Sequence, residues 1–154
     1  MGVRIWAATA AVALTAAAGP GWAAAAKPDA GLERFRGLYK ELVETNTAHS
    51  VGSCTLAAER MAARLKAAGY TDTDLHLFAP EGAPKDGGLV AVLNGKDPKA
   101  KAILLLAHID VVEAKREDWT RDPFAFIEED GYFYGRGVSD DKAQAAIWAD
   151  MLIR

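Results

Sequence analysis

The run KAILLLA at residues 101–107 constrains the fold more than any other stretch. After Lys101 every side chain is apolar, with no polar alternation. That pattern reads as a strand covered on both faces, the central position of a sheet with helices packed against it. The next residues are AHIDVV, so the run is broken by His108 and, two positions later, by Asp110. One reading makes His108 a core histidine satisfied by a hydrogen bond. The other ends the strand at His108 and presents an imidazole and a carboxylate at the rim of the sheet, where ligands of open α/β sheets bind.

The flanking segments supply the expected partners. GLERFRGLYKELVETN (31–46) places Leu32, Phe35, Leu38, Tyr39, Leu42 and Val43 at helical spacing. TLAAERMAARLKAA (55–68) is rich in helix formers and stops at Gly69. Between them NTAHSVGSC has loop composition. LHLFAP (75–80) and LVAVLNG (89–95) read as strands. The short connection GKDPKA then suits an antiparallel pairing of 89–95 with 101–107. Asp130-Gly131 marks a turn between two short extended pieces, and DKAQAAIWADMLIR from Asp141 reads as a helix. The fold class implied is α/β, a mixed β-sheet flanked by helices.

Composition sets limits on function. The chain has 154 residues, 51% of them hydrophobic, enough for a core, and a formal net charge of −3. So small a charge makes neither nucleic acid nor an anionic membrane surface an expected partner. The lone Cys54 can form neither an internal disulfide nor a paired-cysteine metal site. Residues 1–26 have the layout of a secretory signal peptide: Arg4, a short apolar stretch from Ile5 to Ala18, a Gly-Pro-Gly break and small residues, with cleavage expected between Ala23 and Ala26. The apolar run is short for a transmembrane anchor. Export to the periplasm or medium follows, without stable membrane insertion after cleavage.

Two stretches carry candidate chemistry. In H-x-D, a neutral imidazole is a common metal ligand, and a carboxylate on the same side of an extended segment can fix its tautomer. In YGRGVSDDKA (134–143), two glycines around Arg136 permit unusual backbone angles, and Asp140-Asp141 opens the last helix. Ser139, Asp140 and Asp141 equally suit an ordinary helix N-cap.

AHIDVV, a tryptophan followed by DPF, and DGYFYGRGVSDDK, in this order, together resemble the M20 family of zinc metallopeptidases. These are the dipeptidase, aminoacylase and carboxypeptidase relatives. The resemblance runs from about Leu32 to Arg154 and includes NTAHSVGS. It implies that His108 and Asp140 are metal ligands, Asp140 bridging two zinc ions (cobalt or manganese being alternatives). Asp110 is implied as the catalytic carboxylate that orients His108. Asp141 would follow across a cis peptide, Lys142 matches the family's lysine, and Arg136 matches its arginine without a catalytic role. Ala143 departs from the usual glycine, and neither His49 nor His76 matches a ligand position. The activity implied is hydrolysis of an amide bond in a dipeptide, peptide end or N-acyl amino acid by a metal-activated water. The resemblance also implies that the remaining ligands, the general-base glutamate and a lid or dimerisation domain lie downstream of Arg154. Residues 27–154 are then the N-terminal part of a truncated catalytic domain, inactive alone and of open oligomeric state. The rival reading is an exported binding or vestigial module.

Overall fold

The computed structural model describes residues 29–154; the signal peptide expected over 1–26 lies outside the described residues. The first helix, α1 (Ala30–Glu44), begins at Asp29, whose carboxylate accepts the Gly31 N–H at 2.8 Å. Its apolar stripe buries Leu38, Tyr39, Leu42 and Val43. Helix α2 (Cys54–Ala67) is capped by the Ser53 side chain, which accepts from the Leu56 N–H. It ends as Gly69 promised: Gly69 has φ +106°, its N–H donates to the Lys66 carbonyl, and the Tyr70 N–H donates to the Leu65 carbonyl. That pair of bonds is a Schellman motif, which a residue without a Cβ closes at least cost.

Strands β1 (Leu75–Phe78) and β2 (Gly88–Ala91) pair antiparallel, with Leu75 opposite Ala91. A second antiparallel pair joins β3 (Ile127–Glu129) to β4 (Tyr132–Tyr134). The two residues between them, Asp130 and Gly131, have φ of 52° and 80°. Two positive φ values in a two-residue loop match the right-handed twist of the flanking strands, the physical basis of the Asp-Gly turn. The last helix, α3 (Lys142–Ile153), packs on α1.

The core lies between the three helices. Leu38, Tyr39, Leu42 and Val43 of α1 meet Ala57 and Met61 of α2 and Ala146 and Ala149 of α3. Small residues on α2 and α3 let the helices approach α1. Tyr39 extends this core into an aromatic group with Phe35, Phe126 and Phe133, so the β3–β4 pair is fastened to α1 through ring contacts 4.9–5.8 Å apart.

The α/β class holds, but the run expected as the central strand forms no ladder among the described residues. Residues 101–110 carry no regular secondary structure, and β2 pairs with β1 rather than with 101–107. Ile103, Leu104 and Leu106 are largely exposed. Apolarity expresses a tendency to be covered, whereas a strand exists only where a neighbour supplies hydrogen bonds. Among the described residues both ladders are antiparallel, and the parallel contact is one isolated bridge, Ala48 with Val111.

Candidate active site

Around His108 the chain is extended, so neighbouring side chains alternate. Ile109 packs against the helical core. His108 and Asp110 face the other way, into an open cleft of about 230 Å³ that Arg136, Gly137 and Asp140 also line.

Asp140 arrives from the loop before α3. That loop comes close to Val111 because Gly137, with φ +82°, has no side chain: a Cβ there would lie 2.7 Å from Val111 Cγ1. Arg136 stacks its guanidinium on the Trp119 ring at 5.0 Å, and its N–H donates to the Pro123 carbonyl at 2.6 Å. The tryptophan and the DPF motif are thereby fastened to the YGRG turn, a binding role for Arg136 within the fold. Asp141 is the N-cap residue of α3 but makes no side-chain cap bond, and the Asp140–Asp141 peptide is cis. The acidic pair is therefore not spent on capping the helix.

The Asp140 carboxylate instead meets the histidine. His108 Nε2 lies 2.8 Å from Asp140 Oδ1, while Nδ1 lies 3.2 Å from both Oδ1 and the backbone carbonyl of Asp110. The three residues singled out in the sequence thus converge, one acid on each ring nitrogen. Burial pulls the His108 pKa down but is outweighed by the hydrogen bonds to Asp140 and Asp110 and by their charges, so the net shift is upward. Each ring nitrogen thus has an acid within reach, an arrangement that favours the charged form of the ring. The site is open to solvent, the Asp140 side chain being 89% exposed.

His49 sits in the loop after α1 and His76 on an exposed position of β1, both away from this cleft. Lys142 is more informative than its place in the motif suggested. It is fully buried, donates from Nζ to the Thr45 carbonyl at 2.8 Å, and has its pKa lowered to about 8 by desolvation. The sequence assigns Thr47 no role beyond its place in the NTAHSVGS loop, yet it is buried and its hydroxyl donates to the Ile109 carbonyl at 2.6 Å. A threonine pair inside a polar loop between two amphipathic helices was the available signal.

Comparison with known proteins bears on the same residues. The model for peptidase family M20/M25/M40 matches residues 104–154. That segment is similar to the M20 family. Over 50 residues the chain is 50% identical to the human N-fatty-acyl-amino acid synthase/hydrolase, covering 32% of this chain and 10% of that protein. It is 42% identical over 55 residues to the rat Beta-Ala-His dipeptidase (35% and 11%), and 48% identical over 59 residues to pig aminoacylase-1 (36% and 14%). The chain thus spans only about a tenth of the length of these M20 relatives in its matched part. The crystal structure of human carnosine dipeptidase 1 superimposes with a TM-score of 0.56 at 21% identity, covering 78% of this chain and 27% of that one. The fold likeness therefore extends well beyond the M20-matched segment.

The metal that the resemblance implies can be tested against the donors present. An imidazole nitrogen and a carboxylate oxygen, 2.8 Å apart and open to solvent, are the right donor types for zinc. Among the described residues no group of three or more His, Cys, Asp or Glu side chains is arranged to hold a metal ion by itself. The pair fits as part of a ligand set.

Proposed function

We propose that the chain is part of an exported, zinc-dependent M20 amidohydrolase that cleaves the amide bond of a dipeptide, a peptide end or an N-acyl amino acid. The observation that carries this reading is the convergence of His108 Nε2 and Asp140 Oδ1, with Asp110 on the opposite ring nitrogen, inside the M20-matched segment. One relative is named for N-fatty-acyl amino acids and another for the dipeptide β-Ala-His; in both the bond is an amide to an amino acid.

Zinc, when bound, supplies Lewis-acid polarisation of the amide carbonyl and activation of a water. His108 and Asp140 are the residues that would hold it. Asp110 keeps a proton on Nδ1, which fixes the tautomer and leaves Nε2 free to bind once its own proton has gone. The exposed Asp140 carboxylate has a second oxygen free for a further partner. Export rests on the leader-like layout of residues 1–26.

The test is hydrolysis of dipeptides and N-acyl amino acids by the complete enzyme of which this chain is proposed to be part, alongside zinc content, for wild type, His108→Ala and Asp140→Ala. Both variants are expected to lose chelator-sensitive turnover and bound zinc. Retained turnover with normal zinc content in either would sink the assignment. Sequencing the N-terminus of the protein recovered outside the cytoplasm tests export, with a start within or just after Ala23–Ala26 expected.

A further inference from the structure

We infer that the buried segment Thr45–Ala48 is the positioning element that sets the spacing of His108 and Asp140. Thr47 holds one side and Lys142 is drawn to it from the other. The inference deepens the proposed function and rests on the reading of His108 and Asp140 as the metal-holding pair.

The two site residues come from distant parts of the sequence, on segments with little regular structure of their own. His108 lies in an extended stretch without a ladder, and Asp140 in a turn. Both are anchored through neighbours rather than through their own side chains. On the first side, the Thr47 hydroxyl donates to the carbonyl of Ile109, the residue between His108 and Asp110, at 2.6 Å. The Val111 N–H returns a bond to the Thr47 carbonyl at 3.3 Å. On the second side, two residues beyond Asp140, the buried Lys142 donates to the Thr45 carbonyl at 2.8 Å. Both ties thus end within three residues of one loop.

That loop is itself fixed. Thr45 and Thr47 are 2% and 1% exposed. The Asn46 side chain accepts the Ala48 N–H at 2.9 Å, Gly52 N–H donates to the Ala48 carbonyl at 2.7 Å, and Arg60 donates to the Thr45 hydroxyl at 2.6 Å. Gly52 cannot be enlarged, since a Cβ there would lie 2.6 Å from backbone atoms of residues 46 and 48. Side chains that orient metal ligands through hydrogen bonds alter metal affinity without touching the metal. Thr47 does so one bond further out, through the backbone that carries the histidine.

The experiment compares Thr47→Val, which keeps the shape and removes the hydroxyl, with Thr47→Ser, which restores it. The control is Tyr70→Phe, which deletes a hydroxyl bonded to the Leu152 carbonyl at 3.0 Å, outside the cleft. The first readout, on metal-free protein, is the long-range ¹H–¹⁵N correlation of the His108 ring, with Asp140→Ala as reference for a released imidazole. The second is zinc affinity by chelator competition. Thr47→Val is expected to move the ring signals toward those of Asp140→Ala and to weaken zinc about tenfold. Thr47→Ser should recover both, and Tyr70→Phe should move neither. Thr47→Val matching wild type in both readouts overturns the inference. If Thr47→Val does not fold, Lys142→Met, which removes the other tie at similar volume, is read in the same two ways. If the complete wild-type enzyme binds no zinc, the metal reading fails, and the ring signals of the metal-free variants still decide the positioning role.

Discussion

Four consecutive aliphatic residues, Ile103 to Leu106, stand 86%, 76%, 40% and 75% exposed, whereas Thr45 and Thr47 of a polar loop are sealed in the interior. Composition alone would assign these two regions the opposite way round. The loop can be buried because its side-chain oxygens have partners: the Thr45 hydroxyl donates to the Glu41 carbonyl, the Thr47 hydroxyl to the Ile109 carbonyl, and the Asn46 amide oxygen accepts from Ala48. A satisfied polar group costs little to bury, and an unsatisfied one costs a great deal. The aliphatic run has the reverse problem. Its side chains favour burial, but no neighbouring strand among the described residues offers its backbone a ladder. Its ties to the rest of the fold include one bond, from the Trp148 indole to the Leu106 carbonyl at 3.2 Å.

This contrast can be broken by substitution, and the largest effect belongs to the helical core. Leu42→Ala, at a fully buried position of α1, is expected to destabilise by about 2–5 kcal/mol through lost transfer energy and a cavity. Denaturant unfolding of the purified protein measures it. A loss below about 1 kcal/mol would mean that the core closes over the gap.

Next in size is a pH effect on Tyr39, whose phenol donates to the Val138 carbonyl and is pushed up to about 12 by desolvation. The folded pKa lies above the unfolded value near 10, so the folded state keeps a proton that the unfolded chain releases. That contribution is fully present below pH 10 and is lost as pH rises through 12. It amounts to roughly 2–3 kcal/mol. The difference in unfolding free energy between wild type and Tyr39→Phe should therefore shrink between pH 9 and 12. A flat difference across that range would show an ordinary, solvated tyrosine.

Thr47→Val sharpens the contrast directly. Leaving the Ile109 carbonyl without its donor is expected to cost about 1–2 kcal/mol, a larger effect than removing apolar surface from the exposed run. Leu104→Ser, the smallest, should change stability by less than about 0.5 kcal/mol while reducing self-association, since the exposed apolar stretch invites contact between copies. Sedimentation of the two proteins at matched concentration checks the second half. A destabilisation by Leu104→Ser equal to that of Thr47→Val would place the aliphatic run in a packed environment.

The helices, the Asp-Gly turn and the stop at Gly69 were legible because each is decided within a few residues: periodicity along α1, helix formers ended by a glycine in α2, two positive φ values at 130–131. The pairing of His108 with Asp140 was legible only through family resemblance, since 32 residues separate them. H-x-D by itself did not choose between a core histidine and a ligand, and the acidic pair did not choose between a cap and a site. Tertiary structure shows where these side chains go. Asp141 makes no side-chain cap bond, and Asp140 spends its carboxylate on the imidazole.

By itself, then, the sequence determined the local conformations and the chemical types at the site, because propensity, capping and turn geometry act over one to four residues. Only the tertiary structure decided which apolar segment found a ladder, which polar loop became buried, and that Ile109 and Lys142, one beside each site residue, are tied to the same short loop. Those outcomes depend on hydrogen-bond partners 60 to 100 residues away, and a partner at that distance leaves no periodic trace in the chain around it.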